Sequence, residues 1–164
     1  MNRLFMVSFI ALLTGCASQI YHPQTYPAYE PSTSTVSNFK KCNPLKITKH
    51  EGVVTKSEFL KDINNYAMFI EVQNFISKGE EEDLRKFGWN ADASRAIADC
   101  SSNQMMTALN AMKSPFNELK SKTKNKEERK ALISAYNSWE IYIKNPNPQT
   151  KQKFEEDASY YSNI

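Results

Sequence analysis

Behind Thr55-Lys56-Ser57-Glu58, apolar side chains recur at Phe59, Ile63, Tyr66 and Ile70, the three-and-four spacing that places them on one face of a helix. A strand would send Ile63 and Tyr66 to opposite faces, so the pattern excludes it. Leu60, Ala67 and Phe69 widen the apolar face, and the four residues in front of it match a capping box. The spacing predicts a helix from about Ser57 to Lys78, stopped by Gly79. Only four glycines occur in 164 residues, which argues against collagen, a propeller or a long disordered polymer.

The same periodicity returns along the chain. Glu80-Glu81-Glu82-Asp83 suits the first turn of a short helix carrying Leu84 and Phe87, because acidic side chains favour the positive helix end; Gly88-Trp89-Asn90 breaks it. From about Asp92 to Lys113 a further helix can direct Ala93, Ala96, Ile97, Cys100, Met105, Leu109 and Met112 toward a core, with Pro115 following its end. Asn125-x-x-Glu128 opens a helix in which Leu132, Ala135, Tyr136, Trp139 and Ile143 repeat, ending before Pro146. Asn147-Pro148 reads as an N-cap with proline at the first helical position, opening a last helix through Phe154, Ala158 and Tyr161. Leu45, Ile47, Val53 and Val54 around Glu51-Gly52 fit either a short hairpin or an extended entry segment. The expected fold is all-α: a small irregular bundle of four main helices plus one or two short ones, with connections short enough for antiparallel neighbours. No period of about 20 to 50 residues recurs, which argues against a solenoid.

The first fifteen residues have another logic. Met1-Asn2-Arg3 is a positive start, Leu4 to Leu13 is an apolar run interrupted only by Ser8, and Leu13-Thr14-Gly15-Cys16 follows at once. Residues 1–15 are expected to be a signal peptide. Leu13-Thr14-Gly15-Cys16 resembles the lipobox of bacterial lipoproteins. That resemblance implies a diacylglyceryl thioether and palmitate on Cys16, the first residue of the mature chain, and attachment to the lipid bilayer through it. An ordinary signal peptide, or an apolar first helix, is the other reading of the segment. Two or three acyl chains hold a protein firmly, since each buried methylene contributes about 0.8 kcal/mol. Ala17-Ser18 stands where enteric lipoproteins retained at the inner membrane carry aspartate, so the implied address is the cell outer membrane, periplasmic face.

Residues 16–38 read as a disordered tether, rich in Pro, Ser and Thr, with Pro23, Pro27 and Pro31 four apart and Tyr21, Tyr26 and Tyr29 between them. The tyrosines suit either a peptide ligand or an interfacial position beside a lipid anchor. The helical domain then occupies residues 39–164, enough for one small core. With Cys16 acylated, Cys42 and Cys100 remain, and an even pair in an exported chain forms a disulfide most simply. Neither sits in a C-x-x-C spacing that would favour reactive thiols.

Motifs for chemistry are absent from the sequence. His22 and His50 belong to no metal-ligand spacing, and no phosphate-cradling glycine loop or G-x-S-x-G elbow occurs. Glu80 to Asp83, Asp92 and Asp99 are the carboxylates a glycosidase could use, although acids at a helix start are ordinarily solvated. The formal charge is +3, and loss of Arg3 with the leader leaves 20 basic against 18 acidic residues, too balanced for a nucleic-acid protein. From Lys113 to Lys130 seven basic residues face three acidic ones, either a solvated hinge or a surface for anionic head groups or an acidic partner.

The aromatic set Tyr136, Trp139, Tyr142, Phe154 and Tyr161 is the candidate binding feature. Helical spacing assigns most of it to the core, and the same residues would line a partner groove between the last two helices. The expected protein is not an enzyme and carries no cofactor beyond the covalent lipid. It is a membrane-anchored lipoprotein that binds another envelope protein as an accessory factor, in the manner of pilotins, which are helical lipoproteins of similar size and address. The alternatives are an exclusion or inhibitor lipoprotein of a mobile element, or a cell-wall-active envelope enzyme.

Overall fold

The computed structural model describes residues 42–50 and 52–164, so the predicted leader and tether lie outside the described residues. Four helices follow one another: α1 (Lys56–Phe87), α2 (Ala91–Lys122), α3 (Lys126–Lys144) and α4 (Pro148–Asn163). No strand occurs among the described residues, and Cys42 to His50 is an extended entry segment rather than half of a hairpin. The fold is the expected all-α bundle, tied by a Cys42–Cys100 disulfide whose Cα atoms are 5.6 Å apart.

Each helix starts on a cap written in the sequence. Glu58 N–H donates to Thr55 Oγ1 at 3.3 Å while Thr55 N–H donates to Glu58 Oε2 at 2.8 Å, a reciprocal capping box. Asn90 Oδ1 accepts from the amides of Asp92 and Ala93, and Asn125 Oδ1 from those of Glu127 and Glu128. Asn147 caps α4, with Pro148 at the first helical position. Two expected stops are not stops. α1 continues through Gly79, so the short helix expected at Glu80 is its last third, and the chain turns instead at Gly88, whose φ of 132° suits glycine. α2 likewise runs through Pro115 to Lys122.

These extensions make α1 and α2 32 residues each, about 48 Å, against about 28 Å for α3 and 24 Å for α4. The shorter pair covers only half of the longer one. Accordingly the buried side chains of α1 end at Ile70, and those of α2 lie mainly from Gln104 onward, with Ala93 and Ile97 alone buried before it. Residues 71–87 and 91–103 therefore form a two-helix arm with little core of its own. Ser77 Oγ and Ser101 Oγ join its helices at 3.1 Å.

The main core holds Phe59, Ile63, Met112, Leu132, Trp139, Ile143 and Tyr161, all but closed to solvent. Trp139 Nε1–H donates to the Ile63 carbonyl at 2.9 Å, and the Phe116 and Tyr136 rings stack at 4.0 Å between centroids.

Candidate partner-binding cleft

The aromatic set does not form the expected groove between α3 and α4. Tyr136, Trp139, Tyr142, Phe154 and Tyr161 are 7%, 0%, 3%, 2% and 0% exposed, packed against α1, α2 and one another. The reason is their alignment: helices of 19 and 16 residues can bury only one stripe each, and all the large side chains of that stripe are needed to close the core. Tyr142 stacks on Phe154 at 5.9 Å, and of the five it alone reaches the edge of a surface depression.

That depression lies where the arm leaves the bundle. It is a cleft of about 900 Å³, floored by Ile97, Ala98 and Ser101 of α2, walled by α1 from Met68 to Glu81, and ended by the Pro146–Pro148 corner between α3 and α4. Its outer rim is apolar and open: Met68, Val72 and Phe75 are 63%, 50% and 80% exposed. They stand four and three residues apart, on the side of α1 away from the core stripe. A strap crosses one end, where Lys151 Nζ donates to both carboxylate oxygens of Glu71 at 2.8 and 2.9 Å. Tyr142 Oη–H donates to Glu71 Oε2 at 3.3 Å. The hydrogen bond from Lys151 holds the Glu71 carboxyl below its usual range, and the same bond raises Lys151. Burial, and then the charge of Glu71, pushes the Tyr142 phenol up.

His50 lies elsewhere. Its Nε2 is 2.5 Å from Asp62 Oδ2 and its Nδ1 is 3.8 Å from Glu58 Oε1, so both ring nitrogens face carboxylates and neither faces a nucleophile. The pair fastens the entry segment to α1, together with Thr48 N–H donating to Tyr66 Oη at 3.0 Å, while Gln104 Nε2–H of α2 donates to the Asn43 carbonyl at 2.6 Å. Glu82, Asp83, Asp92 and Asp99 are exposed on the arm, and no group of three potential metal ligands converges among the described residues. The basic run from Lys113 to Lys130 spans the end of α2, the turn and the start of α3, at the opposite end of the long helices from the acids of residues 80–83.

The sequence did carry a signal for the cleft. Met68, Val72 and Phe75 form a second apolar series, offset from the core stripe of the same helix by roughly half a turn. Phe87 and Trp89, 82% and 61% exposed, add apolar surface at the arm's tip. No family model, curated protein or solved structure matches this chain.

Proposed function

We propose that this chain is a lipid-anchored lipoprotein of the bacterial outer membrane, facing the periplasm, whose helical domain binds another envelope protein as an accessory factor. The binding site is the cleft at the base of the arm. One observation carries the reading: a concave cleft of about 900 Å³, with Ala98 and Ser101 of α2 on its floor and the Pro146–Pro148 corner at its end, lies open at the base of the arm. Concave clefts of this size are where binding sites are ordinarily found. The proposed anchor at Cys16 confines the domain to the membrane surface, where a modest apolar site suffices because effective concentration is high.

The test is site-specific photo-crosslinking from Ala98, an exposed residue of the cleft wall, in the native envelope. One protein partner is expected, lost when Cys16→Ser prevents acylation and lost again when Ser101→Arg fills the cleft beside the crosslinker. Capture of lipid or peptidoglycan alone would overturn the reading.

A further inference from the structure

Gly79 has no role within the chain. It sits in the interior of α1, its φ is not in the left-handed region, and an added Cβ would meet nothing within 4 Å. A glycine there costs about 1 kcal/mol relative to alanine, and neither a turn nor an internal close approach requires it. It falls on the outer face of α1, four residues beyond Phe75, in line with Val72 and Met68. A bare backbone on an exposed apolar stripe is what a second helix needs to approach closely, because the side chains at a crossing set the distance between axes.

We infer that a second copy of this chain pairs with the first, antiparallel, through the outer faces of the two α1 helices. Three features of the stripe are complementary to themselves. In size, an antiparallel register centred between Gln73 and Asn74 sets Met68 against Gly79 of the other copy and Val72 against Phe75, large against small at each crossing. A two-fold interface repeats each such contact, so four residues supply the whole central layer. In charge, the face carries Lys61 before the stripe and Glu82 and Asp83 after it, none of them in an ion pair among the described residues. The register brings Lys61 of one copy within a turn of Asp83 of the other. Lys86, directly across from Lys61, is itself within a turn of both acids.

In area, Met68, Val72 and Phe75 together expose roughly 350 Å² of side chain per copy. With their flanks the two copies bury on the order of 1,000 Å², the lower limit for a specific interface. Confinement to one membrane surface would strengthen such a contact. The pairing covers the outer rim of the cleft and leaves its wall on α2 and the Pro146–Pro148 corner open to an envelope partner.

The experiment uses the mature acylated chain in detergent. Light scattering behind size exclusion should give twice the chain mass after subtraction of detergent, falling to one chain in Gly79→Leu. The melting temperature of Gly79→Leu should hold or rise, since open space receives the new side chain. Two tagged copies, one Met68→Cys and the other Gly79→Cys, should crosslink to each other under mild oxidation, whereas neither should crosslink to itself. Cys42 and Cys100 are already bonded to one another, and the Cys16 thiol of the acylated chain carries the lipid. A single-chain mass for the unsubstituted protein, a Gly79→Leu variant that stays double, or a Met68→Cys copy that crosslinks to its own kind overturns the inference. Crosslinking from Ala98 to an envelope protein is read separately, so a monomer that still captures that partner defeats only the pairing.

Discussion

Reduction of the Cys42–Cys100 bond gives a stability loss that can be worked from the fold. The bond closes a separation of 58 residues, for which the chain-entropy relation gives about 4 kcal/mol of stabilisation through the unfolded state. The folded state recovers part of this, because Cys42 belongs to the entry segment and not to a helix. Without the bond that segment depends on Gln104 to Asn43, Thr48 to Tyr66, His50 to Asp62, and the packing of Leu45. Hydrogen bonds contribute about 1 kcal/mol each, against about 1–2 kcal/mol per residue to hold the backbone ordered. Residues 42–50 should therefore come loose, and the net loss should be about 2–4 kcal/mol. Urea unfolding followed by circular dichroism, with and without reductant, measures the loss. Hydrogen exchange should show open amides from Asn43 to His50 while α1 to α4 stay protected. A loss under about 1 kcal/mol, or an entry segment that stays protected after reduction, would refute the reasoning.

Four further outcomes follow from the core and its charges. Trp139→Ala should lower stability by about 3–5 kcal/mol in urea titrations, the cost of emptying a fully buried site, whereas a change under about 1 kcal/mol would return Trp139 to a surface role. Tyr161 is pushed up to about 12 by burial, with Glu128 adding to it. Its neutral form stabilises the fold below the ordinary tyrosine value near 10, and that contribution is lost as pH rises through the folded value. Thermal melts should accordingly fall between about pH 10 and 12, and Tyr161→Phe should flatten that limb. Glu71 runs the other way: its lowered carboxyl contributes above the ordinary carboxylate range and loses that contribution as pH falls through the lowered value. Glu71→Gln should make the acid limb of the melting profile slightly shallower. Pro115→Ala should raise stability by about 1–3 kcal/mol in urea, because it restores an amide donor to the Ala111 carbonyl inside α2; a loss would mean that the ring's packing outweighs the missing bond.

Local chemistry is readable where it is self-contained. Thr55 with Glu58, Asn125, and Asn147 with Pro148 each cap a helix within three residues, so neighbours in sequence suffice to specify them. The disulfide follows from parity. The helix ends expected at Gly79 and Pro115 are not ends: about 1 kcal/mol at Gly79 is too little to stop a helix of good formers that runs on to Phe87, and about 3 kcal/mol at Pro115 is outweighed by burying Phe116 and Leu119 in the core. That term is tertiary and does not show in a local window. The binding surface is hidden for a related reason: periodicity says that Tyr136 and Trp139 share a face, but not whether that face meets α1 or solvent. The exposed series Met68, Val72 and Phe75 has the same period, and it lies uncovered because it sits on the side of α1 turned away from the core stripe.

The crosslink also decides how the molecule bears tension. A pull on the chain ahead of Cys42 does not first peel the entry segment away and then unzip α1 from Thr55. It passes through the sulfur bridge into α2 at Cys100, bypassing residues 43–99. Cys100 stands within a turn of Ile97, Ala98 and Ser101, which floor the cleft. A load held in the cleft and a pull on the N-terminal chain would meet within about two turns of one helix. The aromatic core around Trp139 lies off that line, so the fold can act as a mechanical link while its most stable part remains unloaded.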